Sequence, residues 1–123
     1  MTPYTRTVLP NGLRLILAPQ KDSVATTILV LVEAGSKYET KDINGLSHFL
    51  EHMCFKGTTK RPTAMHIAGE LDGIGAEYNA FTAQEWTGYY VKVQSQKAAQ
   101  ALDIISDMYL NPIFDPVEIE KEK

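Results

Sequence analysis

The sequence predicts an α+β fold in which a mostly antiparallel sheet carries helices on one face. Short segments rich in β-branched and aromatic residues, bounded by turn residues, predict strands. Longer segments with apolar residues at i, i+3, i+4 and i+7 predict amphipathic helices. The composition suits a folded globular domain, since 44% of the 123 residues are hydrophobic and 22% are charged.

Five strands are expected, four of them in two hairpins. In the first hairpin, Asn11-Gly12 supplies the positive φ values of a tight reversal. Residues 24–33 are β-branched and nearly all apolar, which predicts a strand buried on both faces. The second hairpin closes through the polar turn 82–85. The predicted strands cover residues 4–8, 13–18, 24–33, 77–81 and 86–93.

Three helices are predicted in full and a fourth in part. They cover residues 45–56, 63–74 and 98–110, and the fourth begins at residue 116. Thr63 suits the N-cap of the second helix. The inner face of the third is expected to carry Ala98, Leu102, Ile105 and Tyr109. Asp115, Pro116 and Glu118 form an Asp-headed capping box. No stop signal follows, so we expect the chain to be a fragment of a longer protein.

Charge and composition exclude several classes of function. Twelve Lys and Arg against fifteen Asp and Glu give a net charge of −3, without the basic surface of a nucleic-acid binder. No apolar segment approaches the length that spans a membrane. The single cysteine, Cys54, indicates a reducing compartment. Residues 1–18 lack the apolar core of a signal peptide, so a cytoplasmic location is predicted.

The predicted helix 45–56 has two faces. The core face carries Leu46, Phe49, Leu50 and Met53. The second face places His48 and His52 one turn apart, side by side, where two imidazoles suit a tetrahedral metal such as zinc. Glu51 lies beside both, and a carboxylate there can take a proton from water that the metal has made acidic. Although a lone helical histidine is usually structural, the His-x-x-Glu-His pattern predicts a metallopeptidase site.

The sequence around this helix resembles a known family, the pitrilysin-like (inverted-zincin) zinc metallopeptidases, and in particular its bacterial processing-peptidase-like members. The matching segments are residues 9–13 (LPNGL), 34–36 (AGS), 44–58 (NGLSHFLEHMCFKGT), 79–82 (NAFT) and 111–115 (NPIFD). They occur in the family's order along essentially the whole chain. Residues 1–123 would then be the N-terminal part of a pitrilysin-like peptidase domain.

The resemblance implies a role for each matching residue. His48 and His52 would be zinc ligands, and Glu51 would be the general base of a zinc endopeptidase that hydrolyses peptides. The strand segment Asn79, Ala80 and Phe81 would bind an extended peptide by strand addition. Without the family, the same segment would be read only as the edge of a sheet.

The resemblance also implies what the chain lacks. The family's third zinc ligand is a glutamate that would fall a few residues beyond Lys123, so we expect the isolated chain to be weakly active or inactive. Glu122 matches a different family acid near the active site, where it could influence the metal. Glu122 also suits a solvated helix start, because acids favour a helix N-terminus.

Two rival functions remain open at this stage. Family members are usually built from repeated domains, which implies self-association or pairing with a homologous domain, and some relatives are non-catalytic subunits. The intact His48, Glu51 and His52 argue against that role here. The other rival is a short natural peptide-binding module, and the unfinished helix at residue 116 argues against it.

Overall fold

The computed structural model describes residues 2–123, and Met1, the first residue of the predicted domain, lies outside them. The strands are β1 (Thr5–Val8), β2 (Arg14–Leu17), β3 (Ala25–Val32), β4 (Glu77–Thr82) and β5 (Thr87–Gln94). The α-helices are α1 (Leu46–Met53), α2 (Ala64–Gly73), α3 (Ala98–Leu110) and α4 (Pro116–Glu122). Within residues 2–123, no helix combines the length and the apolar character needed to cross a bilayer.

All strand pairs in this part of the chain are antiparallel, which confirms the predicted fold class. β1 and β2 form a separate hairpin, and its reversal uses Gly12 at φ 87°. The other strands form one sheet in the order β3-β5-β4, so that β4 is an edge strand. The long β5 at the centre pairs with β3 on one side and β4 on the other.

The helices pack on one face of the three-stranded sheet. The buried side chains at this interface come from α1's end, α2, β5 and α3: Cys54, Ile67, Leu71, Tyr89, Val91, Val93, Ala101, Ile104, Ile105 and Met108. On the opposite face, Leu29 and Leu31 are 51% and 49% exposed. The prediction that residues 24–33 are buried on both faces is therefore wrong, because helices cover only one side of β3.

The inner face of α3 also differs from the predicted one. Leu102 and Tyr109 are 53% and 37% exposed. The buried residues are Ala101, Ile104, Ile105, Asp107 and Met108. Apolar residues surround more than half of α3, so periodicity alone allows two stripes that share Ile105. The salt bridge from Arg61 to Asp107, at 2.8 Å, turns the Asp107 side of the helix inward.

Both predicted N-cap side chains form their hydrogen bonds, but the Glu118 side chain pairs with Lys121 instead of completing the predicted capping box. The Thr63 hydroxyl accepts a hydrogen bond from the His66 backbone N–H at 3.2 Å, which begins α2. The Asp115 carboxylate accepts from Val117 N at 2.7 Å and from Glu118 N at 3.4 Å, which begins α4. Because α4 packs against α1, its last residues lie close to the histidine face of that helix.

Candidate metal centre

Helix α1 begins at a cap that comes from outside the helix. The Glu39 carboxylate accepts hydrogen bonds from Gly45 N at 2.6 Å and from Ser47 N at 2.8 Å. These N–H groups would otherwise lack partners at the helix start, and they lower the pKa of the Glu39 carboxyl. Sequence reasoning missed Glu39, because it lies six to eight residues before the groups it caps and outside any local capping pattern.

The structure brings together the three residues that the sequence singled out on α1. His48 Nε2 and His52 Nε2 lie 3.1 Å apart. One donor atom from each of His48, Glu51 and His52 lies within 4.8 Å of the others. Both histidines are exposed and Glu51 is half-buried. Two nitrogens bound at about 2.0–2.1 Å to one tetrahedral zinc ion are roughly 3.3 Å apart, so the imidazole pair fits zinc.

Glu122 lies directly behind one of these imidazoles. Its Oε2 is 2.8 Å from His52 Nδ1, and its Oε1 is 2.7 Å from Lys56 Nζ. Lys56, and then His52, lower the pKa of Glu122 to about 2. The ionised carboxylate can only accept, so His52 carries a proton on Nδ1. In the neutral His52 imidazole, Nε2 then carries a lone pair that is directed towards His48.

Glu51 has a partner of its own on the neighbouring strand. The Thr82 hydroxyl, at the end of β4, donates a hydrogen bond to Glu51 Oε2. Sequence analysis did not assign Thr82 a role, although it ends the matching segment 79–82. No local pattern identifies this contact, because the two residues are 31 positions apart.

The segment Asn79, Ala80 and Phe81 lies on β4, the free edge of the sheet beside α1. The hydrogen bond from Ala83 N to the Trp86 carbonyl, at 2.8 Å, closes the hairpin between β4 and β5. Backbone bonds alternate along an antiparallel pair, so the Ala80 N–H points to the open edge. There it donates to Asn79 Oδ1 at 2.8 Å.

A cleft of about 540 Å³ opens beside this edge, and its lining includes His48, Glu51, Phe81 and Thr82. The outer end of the Phe81 ring lies against Gly88, where a Cβ atom would be 2.3 Å from Phe81 Cζ. The absence of a side chain at Gly88 therefore lets Phe81 pack across β5. The His48 imidazole, the Glu51 carboxylate and the end of the edge strand thus share one concave surface.

Two other residues of metal-binding type lie outside the cluster. His66 is exposed on α2, with its Nδ1 2.7 Å from the Thr63 hydroxyl. Cys54 is 6% exposed, and its Sγ donates to the Tyr89 hydroxyl at 3.6 Å. Burial raises the pKa of the Cys54 thiol. Cys54 is therefore a small packed side chain.

Comparison with known proteins places the chain in a family. Residues 14–123 match the profile described as "Insulinase (Peptidase family M16)". The chain belongs to peptidase family M16. This M16 chain is 46% identical over 113 residues to the "Uncharacterized zinc protease YmxG" of Bacillus subtilis, a match that covers 92% of the chain and 27% of that protein. It is 44% identical over 124 residues to the mitochondrial-processing peptidase subunit beta of Dictyostelium discoideum, covering 100% of the chain and 26% of that protein.

Solved structures confirm the pitrilysin-like fold. The structure of pitrilysin superposes with a TM-score of 0.86 at 31% identity, covering 98% of the chain and 13% of pitrilysin. A protease from Helicobacter pylori superposes with a TM-score of 0.92 at 23% identity, covering 98% of the chain and 29% of that protein. The chain spans about a quarter of the length of the curated relatives it matches.

Proposed function

We propose that this M16 protein is a zinc-dependent endopeptidase, with His48 and His52 as metal ligands and Glu51 as general base. The observation that carries the proposal is the convergence of the two Nε2 atoms, 3.1 Å apart, beside the Glu51 carboxylate. The relatives named as zinc proteases support zinc as the metal. Two imidazoles on one helical turn are suitable zinc donors.

Each of the three side chains has one task in this proposal. His48 and His52 hold the metal through Nε2, which requires that neither of these two nitrogens carry a proton. When bound, zinc polarises the scissile carbonyl and acidifies water. Glu51 takes the proton from the attacking water on a carboxylate oxygen and delivers it to the leaving amine.

Glu122 serves in this proposal as the acid that orients a ligand. Its bond to His52 Nδ1 keeps that proton away from Nε2 and fixes the plane of the ring. Such carboxylate partners of metal-bound histidines orient the ring and raise its basicity. Lys56 holds the other oxygen of Glu122, so the carboxylate cannot turn away. This contact favours the role near the metal over that of a solvated helix start.

The substrate, in the same proposal, is an extended peptide that adds to β4 alongside Asn79, Ala80 and Phe81. The outward N–H of Ala80 offers a donor to an incoming backbone, and the Asn79 carboxamide now occupies it. A bound peptide would take the place of that carboxamide. The cleft beside β4 would then hold the scissile bond next to Glu51.

The described cluster offers the metal only two imidazoles once Glu51 acts as base, whereas catalytic zinc normally has three protein ligands. We therefore propose that the 123 residues form the N-terminal part of the peptidase domain and that the isolated chain cleaves weakly or not at all. We further propose pairing with a homologous domain or a second copy. The similarity to a protein named "subunit beta" supports this.

The test is Glu51→Gln in the protein at the length its gene encodes, assayed on a panel of internally quenched fluorogenic peptides. Loss of the base should lower kcat about 10²- to 10⁴-fold while zinc content stays the same. Glu120→Gln is the matched control, because Glu120 contacts only Lys123 among described side chains. Undiminished, chelator-sensitive cleavage by Glu51→Gln would refute the assignment of the base.

A further inference from the structure

We infer that Thr82 is a positioning residue for Glu51, which it holds by one carboxylate oxygen so that the other oxygen faces the reacting water. The inference rests on the proposed function of Glu51 as general base. Its starting point is the hydrogen bond from Thr82 Oγ1 to Glu51 Oε2. A carboxylate has two oxygens, so engaging Oε2 leaves Oε1 free to accept a proton.

The backbone at Thr82 is held through its neighbour on β5. Thr82 pairs with Thr87 across the end of the hairpin. Thr87 is 4% exposed, and its hydroxyl donates to the Ala34 carbonyl at 2.9 Å. Because Thr87 is fixed to the loop after β3, the backbone position from which the Thr82 hydroxyl donates is also fixed.

The turn that follows Thr82 is fixed as well. Lys37 N donates to the Gln84 carbonyl at 2.9 Å. A Cβ atom at Gly35 would lie 2.3 Å from the Ala83 carbonyl oxygen, so the loop packs tightly against the turn. A donor on such a rigid support constrains the rotamers of a flexible glutamate, whose side chain otherwise has several.

Holding α1 against the sheet does not require this hydroxyl. The end of the helix is already anchored to β5 by the buried Cys54, whose Sγ donates to the Tyr89 hydroxyl, and its start is capped by Glu39. The hydroxyl instead reaches the one carboxylate of the metal cluster. Since Thr82 belongs to β4, the same strand that would bind the peptide also sets the position of the base. Substrate backbone and proton acceptor thereby share one rigid element.

The test compares Thr82→Val, which keeps the branched shape without the donor, with Thr82→Ser, which keeps the donor. Both are made in the protein at the length its gene encodes and assayed with the fluorogenic peptides. We expect Thr82→Val to lower kcat about 10- to 100-fold with KM, zinc affinity and Tm little changed, because the base is misplaced. Thr82→Ser should restore most of kcat.

A second readout needs neither zinc nor turnover. In zinc-free protein labelled with ¹³C-glutamate, the side-chain carboxyl signal that disappears in Glu51→Gln should shift in Thr82→Val and return in Thr82→Ser. An unmoved signal, an unchanged kcat in Thr82→Val, or a parallel loss of Tm and zinc in that variant overturns the positioning role. Full activity of Glu51→Gln would instead refute the proposed function, and this inference with it.

Discussion

The candidate metal centre and the cluster around Arg61 are both built from ionisable side chains, but their polar atoms are satisfied differently. Arg61 is 3% exposed and donates to three acids, Glu70, Asp103 and Asp107, at 2.8–2.9 Å. Thr58 adds a donor to Asp107 at 2.6 Å. At the metal centre, two exposed imidazoles instead direct their Nε2 atoms at each other.

This difference in hydrogen bonding distinguishes the Arg61 cluster, a structural network, from the imidazole pair, a candidate binding site. Burial raises the pKa of Asp107, but hydrogen bonds from Thr58, Asn111 and Arg61 outweigh burial and lower it overall. The Asp107 carboxylate is therefore satisfied by hydrogen bonds within the protein and needs no external ligand. The Nε2 atoms of His48 and His52 lie close enough to share one proton. A metal ion in that position could bind both nitrogens at once, which suits the pair better than a hydrogen bond between the two rings. The Arg61 cluster therefore suits a structural role, and the His48–His52 pair suits the binding of a metal.

The largest effect is expected from Arg61→Ala, which should destabilise the fold and leave zinc binding intact where the protein stays folded. Removing the guanidinium strands the buried Asp107, so the free energy of unfolding should fall by about 3–5 kcal/mol. Urea denaturation measures it. Lys60→Ala is the matched control, because Lys60 contacts Asp103 only at the surface and should cost about 1 kcal/mol or less. Equal losses in both variants would contradict a structural role for the Arg61 cluster.

A smaller effect is expected from Glu122→Gln, which should weaken zinc binding and leave stability nearly unchanged. The amide is a poorer partner for His52 Nδ1–H, and loss of such a partner typically costs 10- to 100-fold in metal affinity. Competition with a zinc-binding dye measures the change. Glu118→Gln is the control, since Glu118 also contacts Lys56 but not His52. If both variants bind zinc like the unaltered protein, Glu122 belongs only to the helix surface.

Local patterns made much of this molecule predictable. The Asn11-Gly12 turn, the Thr63 cap and the Asp115 cap each depend on residues a few positions apart, and each forms, although in the turn Gly12 takes a positive φ and Asn11 does not. The grouping of His48, Glu51 and His52 was predictable for the same reason, because helical spacing alone puts them on one face. The short motifs shared with the family indicated its identity, and the family profile matches residues 14–123.

What the sequence could not predict depends on distant contacts. Arg61 lies in a polar stretch that suggests exposure, and only the fold surrounds it with three acids. The rotation of α3 follows from the salt bridge between Arg61 and Asp107. Glu39 and Thr82 reach α1 from a loop and a strand, so neither the cap nor the contact with Glu51 leaves a local signal.

The zinc content of the purified protein, at the length its gene encodes, tests directly whether the His48–His52 pair binds the metal. Elemental analysis would compare the unaltered protein with His52→Ala and with His66→Ala, which removes an exposed histidine from another helix. We expect one zinc per chain in the unaltered protein and in His66→Ala, and none in His52→Ala. Zinc retained in His52→Ala, or absent from the unaltered protein after it is supplied with the metal, would contradict this expectation.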